Sequence, residues 1–244
     1  MVSMSQAKME RRALPKRFYK RVALDPVNDG YAITLDGKTI KTPAKQKLIA
    51  PTQKLAEAMV AEWEAQVEFI DPDTMPLTRL LNITIDRIEA DRESILAELR
   101  AYTDTDLLYY RAPDEVLRLR QEEAFGPLLG WYYETHKVTF NLTEGVMPIA
   151  QPKASLAKIA ALFAAANAAT LAPVAMMVPM LGSSLLAVAL WHGAVEVEHA
   201  LKVARLDEDF QAEKWGMDPD TVANWNTKCR DIRAAVLYLA LIAT

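Results

Sequence analysis

Residues 31–63 decide the fold class, and they read YAITLDGKTIKTPAKQKLIAPTQKLAEAMVAEW. The first five residues alternate between large apolar and smaller side chains, which is the two-residue period of a half-buried strand. Asp36-Gly37 then supplies the residue pair that a tight hairpin turn favours. Beyond residue 51 the apolar residues recur at helical spacing, and Thr52 is a good N-cap. This stretch therefore predicts a small sheet followed directly by a helix.

The chain as a whole is predicted to be an α+β protein. We expect a basic flexible arm at residues 1–17, a small N-terminal β-rich module at 18–51, and a larger, mostly α-helical domain at 52–244. Apolar residues recur at helical spacing through most of that domain. The predicted helices cover residues 77–88, 95–102, 113–137, 188–215 and 229–242, with two Ala-rich helices between 159 and 191.

Composition limits the classes of function. Hydrophobic residues make up 51% of the 244 residues and the formal net charge is −4, which is typical of a globular protein and argues against a nucleic-acid partner. The single Cys229 fits a reducing compartment. None of the usual glycine-rich phosphate-binding motifs occurs, so no bound nucleotide is expected.

Two segments suggest other classes of protein. Ile159–Trp191 carries no charged residue and is long enough to span a bilayer, but two prolines, Gly182 and a serine pair divide it into short pieces. The preferred interpretation is buried helices, and the alternative is a membrane-associated protein. His192, Glu196 and His199 have the spacing of one helical face, so a metal-dependent helical enzyme is a further alternative. A salt-bridged polar stripe explains the same spacing.

Residues 103–106, Thr-Asp-Thr-Asp, bring two carboxylates close together and could suggest acid–base chemistry. No histidine or second acidic motif accompanies them. Asp and Thr side chains that follow a helix commonly serve as turn and cap residues. We therefore predict a structural role for this segment.

A set of short segments extends in order along nearly the whole chain. The N-terminal segments are Leu35-Asp36-Gly37-Lys38, Lys41-Thr42-Pro43, Pro51-Thr52 with Leu55-Ala56, Glu62-Trp63 with Gln66, Met75-Pro76-Leu77-Thr78, Asn82 and Ile85-Asp86-Arg87. The later segments are Thr105-Asp106-Leu107-Leu108, Tyr110-Arg111-Ala112, Gln121, Pro127-Leu128-Leu129, Ser184-Leu185-Leu186, Ala189-Leu190, Ala204-Arg205-Leu206-Asp207-Glu208, Gln211 and Trp215-Gly216. No single segment is specific, but the ordered set resembles the assembly-chaperone family that acts on the α subunit of the F-type ATP synthase catalytic head.

The resemblance implies an N-terminal β module, a C-terminal helical domain and a function without catalysis. Such a chaperone holds the free ATP synthase α subunit, masks its subunit interface against aggregation and yields it to the β subunit, with no cofactor, metal, nucleotide or catalytic residue of its own. The basic N-terminal residues do not form a clear presequence, which predicts a bacterial cytoplasmic protein; the alternative is a processed protein of the mitochondrial matrix.

The same resemblance supplies candidates for partner binding. They are Glu208, Asp207, Gln211, Trp63 and Trp215. An acidic helix face could bind an arginine of the client through charge-assisted hydrogen bonds, although a solvated helix face explains the acids equally well. For Trp63 a core position is favoured over a contact, and Trp215-Gly216 is predicted to end a helix. The family's His-Asp pair after Trp-Gly is absent here, so no role tied to it carries over.

Overall fold

The computed structural model describes residues 14–88 and 90–243, and the chain divides into two compact units, one ending at Asn82 and the next beginning at Ile83. The first unit contains a small sheet, and the second is mostly helical. The predicted α+β class is confirmed.

The sheet of the first unit is built around one central strand. Strand β2 pairs antiparallel with each of the other three strands. The predicted hairpin is present, because Asp36 and Gly37 take positive φ angles of 49° and 79° at the turn into β3. The strands are β1 (Val22–Val27), β2 (Gly30–Leu35), β3 (Lys38–Thr39) and β4 (Ile49–Ala50).

Helix α1 (Gln53–Glu64) covers one face of this sheet. The predicted cap is present: the backbone N–H of Leu55 donates to Thr52 Oγ1 at 3.2 Å. Its apolar stripe, which includes Met59 and Trp63, is buried. Because α1 packs on the strands, the first compact unit continues beyond residue 51, where strands give way to helices, and ends only after Asn82.

The first unit ends within helix α2 (Pro76–Ile83), whose start is capped by a side chain from α1. Glu62 Oε1 accepts from the N–H of Leu77 at 2.7 Å, and Glu62 Oε2 accepts from the N–H of Thr78 at 2.8 Å. Burial raises the pKa of Glu62, while these two donors oppose the rise. A 3-10 turn, Pro72–Thr74, leads into α2.

The predicted arm at residues 1–17 lies mostly outside the described residues, which begin at 14. Within the described part, Lys16 forms an antiparallel bridge with Phe69, and the N–H of Arg17 donates to Glu68 O at 2.9 Å. Residues 14–17 are therefore paired with the chain that follows α1.

The second unit is a helical assembly with one short parallel strand pair. Helix α6 packs against α3, α7 and α10, and so lies at the centre of the core. The helices are α3 (Arg92–Asp104), α4 (Glu115–His136), α5 (Lys153–Ala165), α6 (Ala168–Leu181), α7 (Ser184–Trp191), α8 (Val197–Ala204), α9 (Leu206–Trp215) and α10 (Pro219–Ile242). The other elements are a π-turn (Thr84–Ile88), a 3-10 turn (Leu107–Tyr109) and the strands β5 (Tyr110–Arg111) and β6 (Thr143–Glu144).

Three helix predictions are wrong in detail. The Ala-rich region holds three helices instead of two, because Asn167 and Ser183 each cap a new N-terminus. The predicted helix 188–215 is broken after α7, where Gly193 takes a φ of 66° and its N–H donates to Leu190 O. The last helix begins at Pro219, ten residues before the predicted start near Cys229, because Asp218 caps its N-terminus.

The segment 103–106 has the structural role predicted for it. Asp106 is fully buried and accepts four hydrogen bonds, which join the 3-10 turn to the start of α7. The donors are Ser183 Oγ at 2.7 Å, Ser184 Oγ at 3.0 Å, Leu185 N at 3.0 Å and Leu108 N at 3.1 Å. Burial raises the pKa of Asp106, and the four donors oppose the rise.

Among helices of the described chain, none is both long enough and apolar enough to cross a membrane. The uncharged segment Ile159–Trp191 folds as parts of α5, α6 and α7, and much of α6 and α7 is buried in the protein core.

Candidate functional site

Helix α9 carries the predicted acidic residues and is fixed to α4 along one side. Phe210 is buried, with the ammonium of Lys214 lying 4.2 Å from its ring centroid. Two ion pairs join the helices, Arg120 to Glu213 at 2.7 Å and Lys214 to Asp114 at 3.2 Å. The Glu213 pKa is lowered chiefly by its hydrogen bond from Arg120. These contacts hold α9 in a fixed position against α4.

The three acids in the first turn of α9 have different surroundings. Asp209 accepts from Arg205 Nε at 2.7 Å, and Asp207 accepts from Gln121 Nε2 at 2.7 Å. The Glu208 side chain is exposed and, within residues 14–88 and 90–243, makes no hydrogen bond or ion pair. A helix N-terminus favours all three negative charges. Glu208 is consequently the acid of this turn that is free to bind a cation from another molecule.

Gln121 on α4 holds Asp207 in position. Its amide is buried and used at both ends, because its Oε1 also accepts from the N–H of Ala112 at 2.7 Å. The sequence resemblance included Gln121 but assigned it no role. Only the long-range contact with α9 shows that it orients an acidic side chain.

Two clefts lie on either side of this acidic turn, and Leu107 lines both of them. The first, of about 320 Å³, is here named the Glu208 cleft. Its walls include Met180, Gly182, Glu208, Trp225 and Lys228. The second, of about 430 Å³, is named the Val146 cleft. Its walls include Pro113, Leu117, Gln121, Val146, Asp207 and Gln211.

The other three candidates for partner binding do not all lie near the acidic turn of α9. Gln211 is exposed and lines the Val146 cleft, and Trp215 is 76% exposed at the end of α9. The predicted helix end is confirmed, because Gly216 follows with a φ of 75°. Trp63 lies in the first unit, where it is buried and its ring packs edge-on against Tyr19 at 5.7 Å. Trp63 thus has the packing of a core residue.

The metal-site alternative is wrong, because its three residues do not share one helix. His192 follows the last residue of α7, Glu196 precedes α8, and His199 lies inside α8. The ring of His192 instead stacks with aromatic neighbours, with its centroid 4.7 Å from that of Trp191. Burial lowers the pKa of His192. Within the described part of the chain no group of three or more His, Cys, Asp or Glu side chains is arranged to hold a metal ion.

The structure is similar to solved structures of chaperones. The crystal structure of Atp12 from Paracoccus denitrificans matches with a TM-score of 0.90 and 34% identity, over 94% of this chain and 99% of that one. The chain belongs to the ATP12 chaperone family. The family resemblance seen in the sequence is confirmed.

Further comparisons agree with membership of the ATP12 family. The family model described as ATP12 chaperone protein matches residues 16–133. The mitochondrial protein atp12 of Schizosaccharomyces pombe is 22% identical over 237 residues, which cover 91% of this chain and 81% of the yeast protein. A solved Agrobacterium tumefaciens protein described as a chaperone candidate is 38% identical, with a TM-score of 0.89, over 94% of this chain and 87% of that one.

Proposed function

We propose that this ATP12-family protein binds the free α subunit of the F-type ATP synthase catalytic head, masks the surface that will contact the β subunit, and then yields it to that subunit. The proposal involves no catalysis and no nucleotide. Membership of a chaperone family supports it, as does the similarity to Atp12 proteins from a bacterium and from mitochondria. The corresponding locations are the bacterial cytoplasm or the mitochondrial matrix.

A masking role has a simple physical basis. Interfaces between obligate subunits are large and apolar, so a lone subunit exposes a surface that aggregates. A holding protein stabilises the free subunit by a free energy that grows with the logarithm of its concentration relative to Kd. A competing subunit with a larger interface can then displace it without an energy source.

The observation that carries the proposal is the exposed carboxylate of Glu208, which has no side-chain partner within the described residues. Its carboxylate is exposed on a helix that is fixed in place, while the acids beside it are engaged by Arg205 and Gln121. Charge-assisted hydrogen bonds to an arginine are strong and directional, and a pre-positioned acceptor lowers the entropic cost of forming them. We therefore assign Glu208 the role of binding a cationic side chain of the α subunit.

The experiment measures aggregation of the purified free α subunit by light scattering, and its capture in a pull-down, without ATP. We expect the wild-type chain to suppress aggregation and Glu208→Lys to weaken capture at least about tenfold, because the substitution replaces attraction by repulsion. Glu134→Lys is the matched control: it makes the same charge reversal at an exposed position on α4, and it should behave as wild type. Unchanged aggregation with the wild-type chain would refute the proposal, and equal capture by both variants would remove Glu208 from the site.

A further inference from the structure

Two apolar side chains next to the Val146 cleft are unusually exposed. Val146 is 88% exposed and Met147 is 73% exposed, and they follow Gly145, whose φ is 81°. The turn is attached to the fold, because the N–H of Gly145 donates to Arg111 O at 2.8 Å and β6 pairs with β5. The fold therefore presents these side chains to solvent from a tethered turn, although their burial would be favourable.

The walls of the Val146 cleft suit an apolar side chain. Leu107, Pro113 and Leu117 supply apolar surface, and Val146 stands at the edge. The polar groups in the walls are largely engaged already: Gln121 uses both ends of its amide, and Arg111 donates to the backbone oxygens of Leu108 and Tyr110. An apolar side chain could enter without leaving these groups unpaired.

The charge near the Val146 cleft favours one kind of binding segment, namely one that carries a basic residue beside its apolar side chain. The guanidinium of Arg111 is buried against the Phe125 ring, 5.0 Å from its centroid, so the cleft's own cation is turned into the fold. Asp207 lines the cleft, and Glu208 stands on the other side of Leu107 in the neighbouring cleft. In the walls of the Val146 cleft the accessible charge is that of Asp207, which is negative and complements a basic residue on the incoming segment.

We propose that the Val146 cleft receives an apolar side chain from a client segment that also carries an arginine or lysine, and that this basic residue reaches Glu208 past Leu107. The inference rests on the proposed function and adds a second contact point to it. The ion pair at Glu208 gives direction and part of the affinity, and burial of an apolar side chain in the Val146 cleft adds affinity that an exposed ion pair does not supply. Together the two contacts would select a segment by its pattern of one apolar and one basic side chain.

The test has two parts, both with the full chain and the purified α subunit. In the first, a photo-crosslinking phenylalanine analogue replaces Val146, and the linked α-subunit peptide is mapped after cleavage at glutamate. We expect a single segment with a basic residue within four positions of the linked site. In the second, Val146→Ser is compared with Val67→Ser, whose side chain is 85% exposed in the first unit. We expect Kd to rise about tenfold for Val146→Ser alone.

The outcomes separate this inference from the proposed function. If Glu208→Lys weakens capture but Val146→Ser does not, the α-subunit assignment stands and the cleft is overturned. Equal losses from Val146→Ser and Val67→Ser would show general apolar adhesion and would also overturn it. Crosslinks to a second copy of this chain, with none to the α subunit, would identify the cleft as a self-association surface and contradict the inference. Failure of the wild-type chain to capture the α subunit would refute the proposed function itself.

Discussion

Replacing Asp106 by alanine should destabilise the helical unit by about 4 kcal/mol. The carboxylate accepts from two buried backbone N–H groups, of Leu108 and Leu185, and from two serine hydroxyls. Each buried N–H left without a partner costs about 2 kcal/mol. The hydroxyls can rotate to other acceptors, as Ser184 already lies 2.9 Å from Thr103 Oγ1, so we assign them little further cost.

Urea unfolding monitored by tryptophan fluorescence measures this loss. Four of the five tryptophans lie after residue 83, so the signal reports mainly on the helical unit. Asp104→Ala is the matched control, because Asp104 is exposed two residues earlier and should change stability by less than about 0.5 kcal/mol. If Asp106→Ala unfolded at the same urea concentration as Asp104→Ala, the buried network could not be the anchor that we describe.

Two further predictions concern the helices of the second unit. Gly193→Ala should lower the free energy of unfolding by about 1 kcal/mol, because the φ of Gly193 is 66°. Gly130→Ala should raise it by about 0.5–1 kcal/mol, because Gly130 lies inside α4 and an added Cβ at either glycine meets no atom within 4 Å. Thermal unfolding compares the two variants, and shifts of the same sign would contradict the reasoning. Acid should loosen α9 from α4, because the pKa of Glu213 is lowered in the folded state chiefly by its hydrogen bond from Arg120. The pKa of Asp114 is also lowered, first by the N–H of Leu117 and then by Lys214 on α9. The stability that they contribute is present above their ordinary pKa values near 4 and is lost as pH falls through the lowered ones. Hydrogen exchange of α9 amides, compared at pH 6 and below pH 4, measures the loosening, and Glu213→Gln should reduce the difference; protection that does not depend on pH would show that apolar contacts alone hold α9.

The sequence predicted turns and helix ends well where they depend on adjacent residues. The Asp36-Gly37 turn, the Thr52 cap and the helix end at Gly216 each depend on a few adjacent residues, and each is present. The break at Gly193 was missed, because the apolar spacing on both sides continues a helical period and one glycine is tolerated inside a helix.

Features that depend on distant residues could not be predicted in the same way. The structural role of residues 103–106 was expected, but nothing near Asp106 in sequence indicates full burial, since its partners in α7 lie nearly 80 residues away. The same applies to Gln121, which meets Asp207 across 86 residues. Charged residues are almost never fully buried unless paired, so an average expectation places Asp106 at the surface.

The buried network and the proposed binding surface are linked through one residue. Leu107 follows Asp106 directly and lines both clefts, and the N–H of the next residue, Leu108, is held by the Asp106 carboxylate. On the opposite wall, Asp207 is held by the buried amide of Gln121. Leu107 and Asp207 are therefore each positioned by a hydrogen bond within the fold, which is buried at Leu108 and partly buried at Asp207. A surface ordered in advance loses less conformational entropy on binding, so the contacts that we propose at Glu208 and at the Val146 cleft would lose less of their energy to ordering the protein.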